Sequence, residues 1–154
     1  MIKFSTASQS ERDWSLASLR LRYRLTSTPI PIRDSHDAAR LLHGSWDADQ
    51  LSIQEQVGAL YLDARDQAIG FRLISTGKLN TSQVDTSLML ACGLLLRAKS
   101  IIVAHNHPSG DPTPSKTDVR YTLHLHKAAE LVDLELYDHI ILVGDGYHSM
   151  ADAR

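Results

Sequence analysis

The run Ile101-Ile102-Val103-Ala104, followed by His105-Asn106-His107-Pro108-Ser109-Gly110-Asp111-Pro112-Thr113-Pro114-Ser115, constrains this chain more than any other stretch. Four apolar residues, three of them β-branched, read as a short strand buried on both faces. Two histidines one residue apart then leave an extended chain on the same side, so both imidazoles can reach one point. Pro108, Gly110, Pro112 and Pro114 forbid continuation of strand or helix and fix a loop. Thr113 before Pro114 has the pattern of an N-cap followed by proline at the first helical position. A helix is expected from Pro114 to about Leu131. Ser115 and Asp118 lie three apart on one face of its first turns.

His105, His107, Ser115 and Asp118 therefore converge where a strand ends and a helix begins. Two imidazoles and one carboxylate are a zinc ligand set with an open fourth position for water. A closed structural site more often uses four protein ligands with cysteines among them, and Cys92 is the only cysteine here. The plainer reading is a surface turn with two exposed histidines, since His-x-His alone is weak evidence for metal. The whole spacing is more specific: His-x-His, seven residues, Ser, two residues, Asp. It is the pattern of the JAMM (MPN-plus) metalloenzymes. The words HNHPSGDPTPS, then a helix, then Asp138-His139-Ile140-Ile141, resemble the RadC family in particular. The resemblance spans roughly residues 33 to 150.

At 154 residues the chain has the length of one domain with a substantial core. Apolar residues at 43% and charged residues at 22% fit a soluble globular protein. A net charge of −2 gives no global sign of nucleic-acid binding. One cysteine argues against a disulfide framework and for a reducing cytoplasm. No apolar run reaches transmembrane length and no signal-peptide pattern opens the chain, so no membrane partner is expected.

Residues 1–32 read as a leader with one strand, and residues 33–154 as the JAB/MPN-like domain. The strand is Leu19 to Leu25, whose strict alternation puts Arg20, Arg22 and Arg24 on its outer face. Those arginines are either a solvated edge that discourages aggregation or an anionic contact surface for nucleic acid. Ser35 is positioned to cap a helix from His36 to about Ser45. Val57–Leu62 and Ala68–Ser75 read as an antiparallel pair around the turn Asp63-Ala64-Arg65-Asp66. Asp85 to Ala98 is apolar nearly all round, the pattern of a helix buried in the core. His124 and His126, two apart on the helix after the loop, point to divergent faces and cannot share a metal. Leu134 to Val143 and Tyr147 to Met150 complete the strands. The pattern is α/β, with a mixed central sheet and helices on both sides. The resemblance implies the same, a three-layer sandwich of the cytidine-deaminase-like kind.

Zinc held by three protein ligands lowers the pKa of a bound water to about 7 and polarises a substrate carbonyl. A general base must then move the proton to the leaving amine. The glutamates available for that role are Glu11, Glu55, Glu130 and Glu135. Glu130 lies about 18 Å from Asp118 along one helix and is excluded. Read from the residues alone, Glu55 is a solvated residue before a strand. The resemblance places the family's glutamate there, eight residues before Asp63, and so implies Glu55 as the base. Ser115 can serve as an oxyanion donor, as a helix cap, or both. Asp138-His139 matches a family motif and reads as a structural pair or one that orients a ligand. The resemblance thus implies zinc, a peptide or protein substrate, and cleavage of an amide, peptide or isopeptide bond. It is to the short form, without the helix-hairpin-helix DNA-binding segment of longer members. The alternative is a DNA-associated accessory module in repair or mobile-element biology, for which the three arginines are the only candidate surface.

Overall fold

The computed structural model describes residues 28–77 and 84–152. In chain order the elements are β1 (Ile30–Pro31), α1 (Ser35–Ser45), β2 (Gln56–Leu62), β3 (Gln67–Thr76), α2 (Thr86–Leu96), β4 (Ser100–Asn106), α3 (Lys116–Glu130), β5 (Glu135–Val143) and β6 (Gly146–Ser149). The expected strand with Arg20, Arg22 and Arg24, and the leader up to residue 27, lie outside the described residues; the end of the leader carries β1.

The six described strands form one sheet in the order β1-β3-β2-β4-β5-β6. Only β4 and β5 run parallel, joined by the crossover through α3; the other neighbours are antiparallel. Central β2 and β4 are buried along their full length. The apolar runs at residues 57–62 and 101–104 within them require that burial. Alternation then sorts their side chains by face. Leu60, Leu62, Ile102, Ala104, Ile140 and Leu142 meet Ala38, Ala39 and Leu42 of α1. Val57, Ala59, Tyr61, Ile101 and Val103 meet Met89 of α2 and Tyr121, Leu125 and Ala129 of α3. The result is the expected α/β sandwich, with one helix on one face and two on the other. No helix among the described residues is long and apolar enough to cross a membrane.

Three local expectations are corrected. The cap of α1 is Asp34, whose side chain accepts from the Asp37 N–H at 2.8 Å, not Ser35. Thr113 is not the cap of α3. Ser115 is, so it stands just outside the helix rather than at its second position. Its backbone is extended and its oxygen accepts the Asp118 N–H, which Thr113 is two residues too early to do. Finally, α2 is not buried all round. Met89 and Gly93, four apart on one stripe, are its buried residues, while Leu94 and Leu95 are half exposed. The helix forms an outer layer, and an outer layer buries one stripe whatever its composition. Gly93 lets the helix approach closely: a Cβ would lie 2.9 Å from Leu134 Cδ1 and would push that side chain aside.

Candidate metal centre

The site sits where β4 runs out. His105 and Asn106 are the last two residues of β4, fully buried, and His107 follows, half buried. The His107 N–H donates to the Leu142 carbonyl, so the loop stays attached to β5 for one more step. Across the loop, α3 begins with a reciprocal capping box. Ser115 Oγ accepts the Asp118 N–H at 3.2 Å, and Asp118 Oδ2 accepts the Ser115 N–H at 2.7 Å. The box holds the carboxylate against the histidines, Oδ1 toward His105 and Oδ2 toward His107.

His105, His107 and Asp118 come together as expected, with their donor atoms all within 4.8 Å of one another. His105 Nε2 and His107 Nε2 are 2.9 Å apart. Asp118 Oδ1 is 3.5 Å from the first and Oδ2 is 3.5 Å from the second. A tetrahedral zinc with bonds of 2.0–2.1 Å spaces its ligand atoms about 3.3 Å apart, so these separations suit a shared ion. The chemistry of His107 suits it too. Its Nδ1 lies 2.7 Å from the Asp111 carbonyl oxygen, which can only accept. The ring proton is therefore on Nδ1, and the Nε2 lone pair faces the cluster.

Burial opposes the charge on Asp118, but the His105 ring and the Ser115 N–H reverse that effect. Together they hold its carboxyl well below the usual carboxylate range. A metal-ready anion is thus maintained at 3% exposure.

Glu55 stands two residues before Val57, which pairs with His105. In an extended segment it shares the face of Val57, the face on which α2 and α3 pack. Glu55 is half buried, and its carbonyl accepts the Gly77 N–H at 2.7 Å. Ser115 lies beside Asp118 at the helix start. Glu130 closes the far end of α3, away from the site.

Three residues matter more than sequence reasoning allowed. Asn106 points to the opposite face from the histidines and is saturated. Its Oδ1 accepts from Gln56 N at 2.7 Å, and its Nδ2 donates to the carbonyls of Leu51 and Gln54 at 2.8 and 2.9 Å. His139 Nε2 lies 2.8 Å from His105 Nδ1, and its Nδ1 lies 2.6 Å from Thr122 Oγ1. Burial, with the neighbouring His105, pushes the His139 pKa well below the usual histidine range. Asp138 serves the backbone instead, accepting from His139 N, Ala151 N and Ser149 Oγ. Two signals were present in the sequence. An amide at the end of a buried strand must find partners, and Thr122 is four residues from Asp118, on its helix face.

A protein-family model described as the RadC-like JAB domain matches residues 32–154. A UPF0758 protein of Carboxydothermus hydrogenoformans is 42% identical over 101 residues, covering 66% of this chain and 45% of that one. A UPF0758 protein of Bacillus licheniformis is 41% identical over 134 residues, covering 84% and 58%. One of Aquifex aeolicus is 34% identical over 138 residues, covering 90% and 58%. The chain spans about half the length of these curated relatives. The mixed six-stranded sheet with three helices agrees with a JAB/MPN domain, the His105–His107–Asp118 group is one that could hold a metal, and the chain belongs to the RadC family.

Proposed function

We propose that this protein is a zinc-dependent hydrolase that cleaves an amide, peptide or isopeptide bond in a peptide or protein substrate. One observation carries the reading: three donors of zinc-binding type meet within 4.8 Å at a strand end, without a fourth protein ligand among the described residues. His105, His107 and Asp118 would hold the ion. When bound, zinc supplies a water of lowered pKa and a Lewis acid for the scissile carbonyl. Glu55 is the general base: its carboxylate takes the proton of the attacking water and returns it to the leaving amine. Ser115 presents its hydroxyl beside the positive end of α3, where it can donate to the oxyanion that forms. The capping bond leaves that role open, because Ser115 Oγ accepts from Asp118 N and keeps its own proton.

The test is titration of metal-free protein with zinc, read by competition with a chromogenic chelator and followed by a screen of peptide and isopeptide substrates. One zinc per chain, lost in His107→Ala, is expected. Protein that refuses zinc at neutral pH overturns the proposal.

A further inference from the structure

We infer that Thr122 and His139 form an ordered hydrogen-bond relay that fixes which nitrogen of His105 faces the metal. The inference rests on the metal-centre reading above and adds two positioning residues to it.

The direction of every bond follows from the acceptors. Ligation through His105 Nε2, the nitrogen 2.9 Å from His107 Nε2, leaves the His105 proton on Nδ1. That N–H donates to His139 Nε2 at 2.8 Å. His139 is 1% exposed, and among the described residues its ring nitrogens meet only His105 and Thr122. With no carboxylate on that ring, it is a neutral imidazole with one proton. Its Nε2 is accepting, so its proton is on Nδ1 and donates to Thr122 Oγ1 at 2.6 Å. Thr122 must then send its own proton elsewhere. The Asp118 carbonyl, an acceptor only, takes it at 2.7 Å. The lesser contact to Met150 Sδ, at 3.6 Å, would also draw that proton away from His139. No donor in the chain meets another donor.

Metal-ligating histidines commonly donate their second N–H to a carboxylate or carbonyl. Here a second histidine takes that place. Asp138, adjacent in sequence, is already engaged by two backbone N–H groups and Ser149. The relay also ends on the backbone carbonyl of Asp118, so it links the His105 ring to the helix that carries a second ligand.

The experiment measures zinc affinity by chelator competition for the wild type, Thr122→Val, Thr122→Ser, His139→Phe and His139→Gln. Long-range 15N–1H spectra of the zinc-loaded wild type locate the ring protons. Thr122→Val keeps the shape and loses the acceptor; His139→Phe loses the whole link. Affinity should fall by about 10–100-fold in His139→Phe, and measurably in Thr122→Val. Thr122→Ser should restore it, and His139→Gln should recover part of it. The spectra should show His105 and His139 each protonated at Nδ1. A His139 proton on Nε2 in the zinc-loaded protein overturns the relay. So does wild-type affinity in folded Thr122→Val and His139→Phe proteins. If the wild type itself takes no zinc, the metal-centre reading fails first and the relay falls with it. Should His139→Phe not fold, the Val and Ser pair at Thr122 decides the question.

Discussion

Asn106 accepts the Gln56 N–H at 2.7 Å, and that bond ties the end of β4, between His105 and His107, to the segment bearing Glu55. The same side chain holds the Leu51 and Gln54 carbonyls. The proposed base is therefore placed by backbone bonds around it. Replacing Asn106 with alanine strands three polar backbone groups beside a buried strand. A loss of about 2–5 kcal/mol in unfolding free energy is expected, measured by urea denaturation. Hydrogen exchange at Gln56 N should accelerate in the folded variant. A cost under about 0.5 kcal/mol would show that the segment holds its place without Asn106.

The proposed mechanism gives metal binding and proton transfer to different residues, so substitution can separate them. Glu55→Gln keeps size and shape but cannot take a proton. It should retain zinc and fold while losing about 10²-fold or more in turnover. Asp118→Asn should instead weaken zinc binding, because a neutral amide is a poorer ligand than a carboxylate. Zinc-depleted Glu55→Gln protein would make Glu55 a ligand or a fold determinant. Full activity in it would move the base elsewhere.

The site loop was legible in the sequence for physical reasons. Prolines at 108, 112 and 114 exclude regular structure, and the His-x-His and Ser-x-x-Asp spacings each dictate a shared face. What was not legible depends on distant partners. Asn106 answers groups 50–55 residues away, and His139 meets His105 across 34 residues. Only the register of β2 and β5 against β4 creates those contacts. Two candidates two residues apart, Thr113 and Ser115, both suit the start of α3, and only the loop's path chooses between them. An apolar sequence does not reveal how many layers cover a helix, so the one-sided burial of α2 is not legible in its composition.

That correction to α2 can be measured. Met89 is fully buried against the sheet, whereas Leu94 and Leu95 are 50% and 51% exposed. Met89→Ala should cost about 2–5 kcal/mol by denaturant unfolding. Leu94→Ala and Leu95→Ala should each cost about 1 kcal/mol or less. Equal, large costs at all three positions would mean that a further layer covers the helix in solution.

Alkaline pH should loosen the same helix. Tyr61 donates to the Met89 carbonyl at 3.0 Å, and Tyr121 lies 3.5 Å from Thr86 Oγ1. Burial raises both phenols, Tyr61 beyond the ordinary range with help from Cys92, and Tyr121 to about 12. In the unfolded chain both ionise near pH 10. Above that pH the unfolded state sheds protons that the native state keeps, so unfolding gains. The stabilisation is complete below pH 10 and declines as the pH rises toward 12. Unfolding free energies measured from pH 9 to 11.5 should fall, with a shallower slope in Tyr121→Phe. Equal slopes would remove Tyr121 from the account.

The capping role of Ser115 and its proposed catalytic role can be divided by substitution. As the N-cap it accepts the Asp118 N–H; as a proposed oxyanion donor it needs its hydroxyl proton. Glycine is a tolerable N-cap, so Ser115→Gly should lose only a few tenths of a kcal/mol, against about 0.5–2 kcal/mol for Ser115→Ala. Neither variant can donate a hydroxyl proton. If Ser115 acts on the substrate, both should lose turnover alike, by about 10²–10³-fold, whatever their difference in stability. Ser115→Thr keeps cap and donor and should stay near wild type in both respects. If activity instead follows stability, with glycine close to wild type and alanine impaired, Ser115 is a cap alone, and the oxyanion must be met by another group.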